Sequence, residues 1–138
     1  MIGQLDLFAG RRQRGRKPKP APEFALHCMI ADDLKRFLNP AWRYTHIPLG
    51  EFRDIRTAVR LKRMGARAGF PDFVFIGPKQ SVFWLELKRP GGRVSEAQAD
   101  IFDHITRCGF PFLVTDNYKV ARDAMIDLGI LRSIIRGA

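Results

Sequence analysis

The sequence predicts an α/β domain in which a central mixed β-sheet is flanked by helices. Stretches with apolar residues at helical spacing alternate with short runs rich in β-branched and aromatic residues. Glycine, proline and asparagine mark most boundaries between these stretches. The resulting order of elements is α-β-α-β-β-α-β-α, and 46% hydrophobic residues in a chain of 138 are enough to bury a core.

Four helices are predicted from apolar spacing and from residues typical of helix ends, over 22–38, 54–64, 95–109 and 116–128. The apolar positions of the first helix are Phe24, Cys28, Ala31, Leu34 and Leu38, and the second helix carries Ile55, Val59 and Met64. Pro22 suits a first helical turn, and Asn39 followed by proline ends that helix. Ser95 and Gln98 have the spacing of a capping box, and Asp116 is the expected N-cap of the last helix.

Four strands are predicted by β-propensity, over 42–47, 72–76, 81–88 and 110–115. Residues 77–80, with the sequence Gly-Pro-Lys-Gln, form a turn, so the second and third strands are expected to pair as a hairpin. Residues 130–135 are interpreted as either a final short strand or a helical turn.

The first 21 residues are predicted to be a flexible arm, and the folded domain is expected to span 22–138. Gly, Pro and mutually repelling charges prevent this segment from packing. It contains six closely spaced basic residues, Arg11, Arg12, Arg14, Arg16, Lys17 and Lys19.

The basic balance of the chain predicts a polyanionic partner. The formal net charge is +10, and basic residues exceed acidic ones in the domain as well as in the arm. Nucleic acid is the favoured partner, because neutralising phosphates releases condensed counterions. The alternative is a charged surface that only keeps the protein in solution.

Other classes of protein are disfavoured by composition. No apolar run approaches the roughly 18 residues that a membrane span needs, and the N-terminus lacks the pattern of a secretory signal. Cys28 and Cys108 form no CxxC pair, which argues against a zinc site or a disulfide framework. A cytoplasmic location is therefore expected, without membrane association.

The predicted hairpin brings chemically useful side chains together. Asp72 begins one strand, and Glu86, Leu87 and Lys88 end its neighbour. Because strand side chains alternate, Glu86 and Lys88 face one way and Leu87 faces the other. Two adjacent carboxylates repel, and a divalent cation would relieve that repulsion. Oxygen ligands suit Mg²⁺ or Mn²⁺, which would polarise a phosphoryl group, and Lys88 would orient water or neutralise charge on the phosphate.

These residues resemble the PD-(D/E)XK nuclease superfamily. The correspondence consists of Gly69-Phe70-Pro71-Asp72, then Glu86-Leu87-Lys88 after a step of 14 residues, then Gln98 in the next helix. Within the superfamily, the chain is most similar to the VRR-NUC group, whose members carry a glutamate early in the first helix, where Glu23 stands here. The resemblance covers about residues 22–115 and implies a restriction-endonuclease-like core.

The resemblance also implies roles for individual residues. Asp72, Glu86 and the Leu87 carbonyl would hold Mg²⁺ or Mn²⁺, assisted by Glu23 directly or through water. Lys88 would serve the nucleophile, and Gln98 would support the site or contact the scissile strand. The implied activity is cleavage of DNA phosphodiesters by an endonuclease, with a preference for branched DNA such as Holliday junctions, flaps or bubbles. Stand-alone members are expected to act as homodimers in replication, repair or recombination, in bacterial or phage-infected cells.

Each candidate residue also has a purely structural interpretation. Asp72 would then simply start a strand, and Glu86 and Lys88 would form an exposed cross-strand pair. Gln98 would complete a capping box, and Glu23 would be an acid favoured by the helix dipole. His46 is interpreted as a structural or surface residue, with contact to DNA as the alternative, and His27 and His104 receive no functional role from the sequence.

Two other functions remain open at the level of sequence. One is a non-catalytic basic DNA-binding factor, and the other is a nuclease that does not recognise DNA structure, such as a restriction-type enzyme. The presence of all key residues speaks against the first. The lack of a visible target-recognition segment speaks against the second.

A separate pattern at the N-terminus resembles the pentapeptide by which bacterial replication and repair proteins bind the sliding clamp. It consists of Gln4, Leu5, Asp6, Leu7 and Phe8. Leu7 and Phe8 are large apolar side chains that would fill a pocket on a partner, while Gln4 forms hydrogen bonds nearby. The arm would then be a tether that raises the local concentration of the domain at DNA. Alternatively, these apolar residues fold back onto the domain.

Overall fold

The structure is a computed structural model that describes residues 22–50 and 54–133. Its elements follow the predicted order: α1 (Pro22–Phe37), β1 (Arg43–His46), α2 (Ile55–Arg63), β2 (Phe73–Ile76), β3 (Val82–Leu87), α3 (Glu96–Arg107), β4 (Phe112–Thr115) and α4 (Tyr118–Asp127). The α/β class is therefore confirmed. The four predicted helices and four predicted strands all exist, with ends that differ by a few residues, as is usual where helices and strands fray. In the segment 130–135, Leu131 forms an isolated antiparallel bridge with Leu38, and 134–135 lie outside the described residues.

The four strands form one mixed sheet in the order β1-β2-β3-β4. β1 and β2 are antiparallel, β2 and β3 form the predicted antiparallel hairpin, and β3 and β4 are parallel. Because a parallel pair needs a crossover, α3 connects β3 to β4. The hairpin register pairs Phe73 with Leu85, which brings Asp72 beside Glu86 at one end of the sheet.

The main core lies between the sheet and the helices α1 and α4. The side chains of Phe83, Leu85 and Leu87 alternate into this core, and α1 adds Leu26, Ile30 and Leu34. The buried residues of α3 lie outside this cluster, and Phe102 of α3 packs on Phe112 of β4 at 4.6 Å between ring centroids. The sheet is thus covered on both faces. Glu86 emerges on the face opposite to that of Leu87 and is only 3% exposed.

Two sequence predictions are corrected by the structure. The N-cap of α4 is Asn117, whose side chain accepts the N–H of Val120 at 3.1 Å, and not Asp116. Both residue types suit an N-cap, so the local sequence could not choose between neighbours. The apolar face of α1 is also different, because Phe24 and Cys28 are exposed while Leu26 and Ile30 enter the core.

The helix α2 is the least packed element. None of its residues is buried, and Ile55, Val59 and the following Met64 are all exposed. It begins with Asp54 as N-cap, which accepts the N–H of Thr57. Among the described residues, no helix combines the length and the apolar character that crossing a bilayer requires.

Candidate active site

The site begins with a pair of reciprocal hydrogen bonds between the ends of β2 and β3. Asp72 accepts the backbone N–H of Leu87 on Oδ2 at 2.8 Å. In return, the backbone N–H of Asp72 donates to Oε2 of Glu86 at 3.1 Å. These bonds fix both carboxylates against backbone atoms of the neighbouring strand. The hairpin predicted from the sequence therefore brings the two acidic residues together.

A second set of contacts links Glu86 with Lys88 and Gln98. Oε1 of Glu86 lies 3.0 Å from Nζ of Lys88 and accepts the side-chain amide of Gln98 at 2.9 Å. Nζ of Lys88 donates to Oε1 of Gln98 at 2.8 Å. Each of the three side chains contacts the other two, so the lysine and the glutamate are held in fixed orientations.

Gln98 also completes the capping box of α3. The side-chain Oε1 of Gln98 accepts the backbone N–H of Ser95 at 3.0 Å, and the backbone N–H of Gln98 donates to Oγ of Ser95. The two interpretations of Gln98 are therefore compatible, because one amide caps the helix and contacts Glu86 at the same time.

Two histidines that were not among the predicted site residues, His27 and His46, lie beside Asp72. Nε2 of His27 lies 3.5 Å from Oδ2 of Asp72, and His46 donates from Nδ1 to the backbone carbonyl of Asp72 at 2.8 Å. The two imidazole rings meet edge to face, 5.1 Å between centroids. The sequence signal that could have identified His27 is its position four residues after Glu23, which puts both side chains on one face of α1.

The environment drives the pKa values of the two carboxyl groups apart. Burial alone would raise the pKa of Asp72, but the bonds from His27 and the Leu87 N–H and the nearby histidine charges lower it below its ordinary value. Burial and the charge of Asp72 raise the pKa of Glu86, against the opposing effect of Lys88. Burial would lower the pKa of His27, yet its bond to Asp72 and the surrounding carboxylates raise it. The environment therefore favours the ionised form of Asp72 and disfavours the ionised form of Glu86.

All five predicted catalytic side chains line one cleft, whose volume is about 790 Å³: Glu23, Asp72, Glu86, Lys88 and Gln98. The same cleft is lined by His27 and His46. It lies where the N-terminal half of α1 crosses the ends of β2 and β3. The predicted DNA-binding residues of the arm (Arg11, Arg12, Arg14, Arg16, Lys17 and Lys19) and the clamp-like residues (Gln4, Leu5, Leu7 and Phe8) lie outside the described residues.

The donor atoms at this site fit a divalent cation. Asp72 and Glu86 supply carboxylate oxygens, and the repulsion that raises the pKa of Glu86 is the kind that a bound cation removes. Within 22–50 and 54–133, no three side chains of the His, Cys, Asp and Glu types are arranged as a closed metal site. Two carboxylates with open positions are typical of Mg²⁺, which keeps waters and substrate phosphate oxygens as ligands. Glu23 lines the cleft without joining a three-residue ligand cluster.

Known proteins with the same fold carry the same domain designation. One solved structure, described as a VRR_NUC domain protein, has a TM-score of 0.60 and 19% identity, and the match covers 77% of this chain and 86% of that one. Another, described as a VRR_NUC domain, has a TM-score of 0.53 and 15% identity over 78% and 96% of the two chains. No curated protein sequence matches the chain.

The sequence itself matches a family model. Residues 49–117, half of the chain, match the VRR-NUC domain. This segment contains Asp72, Glu86, Lys88 and Gln98, whereas Glu23 and His27 precede it. The chain belongs to the VRR-NUC domain family, whose members are nuclease-type domains that process DNA.

Proposed function

We propose that the protein is a metal-dependent endodeoxyribonuclease that hydrolyses phosphodiester bonds, preferentially in branched DNA, in the cytoplasm of a bacterial or phage-infected cell. The observation that carries the proposal is the contact network of Asp72, Glu86, Lys88 and Gln98 in one open cleft. Carboxylates for a cation and a fixed ammonium group beside them are what phosphodiester hydrolysis requires.

Each side chain of the network has a distinct task in this mechanism. Asp72 and Glu86, with the backbone carbonyl of Leu87, would hold Mg²⁺ or Mn²⁺, and Glu23 of α1 would assist directly or through water. The bound cation supplies polarisation of the phosphate and activation of water at neutral pH. Lys88 is held by Glu86 and Gln98, so its remaining N–H is available to a phosphate oxygen or to the attacking water.

A cleavage panel tests the activity. Four-way junction, flap, bubble and linear duplex of equal length would be incubated with Mg²⁺, Mn²⁺ or EDTA. We expect cleavage only with a divalent ion and fastest on a branched substrate. Asp72→Ala, Glu86→Ala and Lys88→Ala should each lower the rate by several powers of ten while DNA binding persists.

Asp103→Ala is the matched control, since Asp103 is an exposed acid of α3 that pairs with Arg107. Its rate should equal that of the wild type. Cleavage by all three site variants at the wild-type rate would contradict the site assignment. Binding of DNA by the wild type without cleavage in any metal would instead support a non-catalytic accessory factor. Equal rates on junction and duplex would support a nuclease that does not recognise DNA structure.

Metal binding has a readout that does not depend on activity. Isothermal titration calorimetry with Mn²⁺ should detect binding to the wild type, and Asp72→Ala should abolish it. Equal binding by the wild type and the variant would show that the cation is held elsewhere.

Three partner interactions extend the proposal. The basic arm would bind DNA, so deletion of 1–21 should weaken DNA affinity and flatten its salt dependence, and an unchanged salt slope would contradict this role. The peptide at 4–8 would bind the bacterial sliding clamp, so a clamp pull-down should lose the Leu7→Ala/Phe8→Ala variant; equal retention would contradict it.

The active form would be a homodimer, because a domain this small offers little surface to hold a branched substrate. Sedimentation velocity should then give twice the monomer mass of 15.8 kDa, and a monomer at all concentrations would contradict it.

A further inference from the structure

The first helix exposes a large aromatic side chain at the mouth of the cleft. On α1, one apolar face enters the hydrophobic core through Leu26, Ile30 and Leu34. A second apolar face, with Phe24 and Cys28, lines the cleft. Phe24 is 61% exposed in spite of its size. Because burial of apolar surface is favourable, a ligand that covers this ring gains binding free energy.

The cleft as a whole has one polar end and one aromatic wall. Asp72, Glu86, Lys88 and Gln98 supply the polar end. The rings of Phe24, Tyr44, Phe73, His27 and His46 supply the aromatic wall. Phe73 is buried and stacks on His27 at 5.5 Å between ring centroids, so it forms the buried part of the aromatic wall. Phe24 forms no ring pair with another aromatic residue in the part of the chain that the structure describes.

We propose that this cleft binds an unpaired nucleotide, with its phosphate beside Lys88 and its base packed against Phe24. A nucleotide combines an anionic group with a flat apolar ring, and Lys88 and Phe24 of this cleft offer a partner for each. In a duplex, the flat face of a base is covered by its stacked neighbours, so only an unpaired or displaced base can present that face to Phe24. The inference rests on the proposed function and specifies its substrate, as DNA with an unpaired nucleotide next to the scissile phosphate.

The basic balance of the whole chain supports nucleic acid as the occupant, although the cleft itself is lined by three acidic residues and one lysine. The chain carries a net charge of +10, and α2, which follows cleft residues Pro48 and Gly50 in sequence, contains four basic residues and no acidic one.

The test compares binding of two DNAs that differ at one nucleotide. One is a duplex, and the other is the same duplex with a single unpaired 2-aminopurine; both are measured by anisotropy in EDTA, so that cleavage does not interfere. We expect the wild type to bind the second DNA more tightly and to quench the 2-aminopurine fluorescence by stacking. Phe24→Ala should weaken binding of the unpaired substrate by about tenfold or more, abolish the quenching, and change duplex affinity by less than about twofold.

Two further variants separate stacking from general effects. Phe24→Trp should retain tight binding and quenching, because it keeps a flat ring. Met29→Ala is the matched control, since Met29 is also exposed on α1 but lies about 140° around the helix from Phe24 and does not line the cleft. It should behave as the wild type.

Several results would overturn the inference. Equal effects of Phe24→Ala on both DNAs, or quenching that survives the substitution, would exclude stacking on this ring. Loss of a dimer in Phe24→Ala by sedimentation velocity would show that a second copy covers the ring. Failure of the proposed function is distinguishable, because it would show as absence of metal-dependent cleavage, whereas this test measures binding without metal.

Discussion

Gln98 donates its side-chain amide to Glu86 across 2.9 Å, and the same amide oxygen accepts from Lys88 and from the backbone of Ser95. The start of α3 is therefore tied directly to the acidic end of β3. Since the amide cannot rotate without breaking a contact on each side, its orientation is fixed by the network itself. The Gln98 side chain therefore links the start of α3 to the Glu86 carboxylate and the Lys88 ammonium group.

The first prediction concerns this double role. Gln98→Ala should slow cleavage by about 10- to 100-fold, because Glu86 and Lys88 lose their shared partner. Ser95→Ala is the comparison, since it removes the N-cap but leaves the bond from Gln98 to Glu86. It should lower the free energy of unfolding by about 1 kcal/mol with little loss of activity. Stopped assays and urea denaturation of both variants measure the two effects, and equal activity losses would contradict the separation.

The second prediction concerns the loop that leads to Asp72. Gly69 has a φ of +105°, and a Cβ there would lie 2.4 Å from the backbone oxygen of Ala97 in α3. Gly65 has a similar φ of +101° with open space around it. Both alanine variants incur backbone strain of about 1–2 kcal/mol, and Gly69→Ala adds a steric clash of about 1–3 kcal/mol.

Urea denaturation should therefore find Gly69→Ala the less stable of the two, and it should also cleave more slowly, because the displaced loop carries Asp72. Equal stability of the two variants would indicate that the loop moves away from α3 without cost.

The third prediction concerns the basic face of α2. Arg56, Arg60 and Arg63 recur at helical spacing on an exposed surface. If they contact phosphates, Arg56→Ala/Arg60→Ala should weaken DNA binding and reduce the slope of log affinity against log salt by up to about two. Arg107→Ala is the control, because Arg107 is an exposed arginine at the C-terminal end of α3 and is paired with Asp103. An unchanged slope in the double variant would exclude α2 from the DNA interface.

The fourth prediction concerns the attachment of α1 to α4. The hydroxyl of Tyr118 donates to Oδ2 of Asp33 at 2.5 Å. Burial and the neighbouring carboxylate raise the pKa of Tyr118 above its ordinary value of 10.0. Tyr118→Phe should lower the free energy of unfolding by about 1 kcal/mol. Because the folded state favours the protonated phenol, this difference is fully present below pH 10 and disappears as the pH rises through the raised pKa.

Denaturation of the wild type, Tyr118→Phe, Asp33→Asn and the double variant at pH 7 and pH 11 measures this coupling. A coupling energy that is the same at both pH values would contradict the assignment. The contact matters for function because α1 carries Glu23 and His27 into the cleft.

The local sequence was sufficient to predict every helix and strand and the pairing of β2 with β3. Short-range rules govern these features: side chains alternate along a strand, and a turn of four residues fixes the register of the hairpin. Asp72 and Glu86 could therefore be assigned to one site before any tertiary contact was known. Asp116 and Asn117 show the limit of such rules, because two adjacent residues of similar capping ability differ only in where the chain actually turns.

What the tertiary structure alone decided is how α1 lies across the ends of β2 and β3. Its sequence has two apolar faces, and periodicity cannot tell which one the sheet will cover; packing selects Leu26 and Ile30, which turns Phe24 outward and His27 towards Asp72. Gln98 is similar, since its capping role follows from a spacing of three residues while its bond to Glu86 joins residues from different elements. Contacts between residues distant in sequence depend on how whole elements pack, and that information is not contained in any short stretch of the chain.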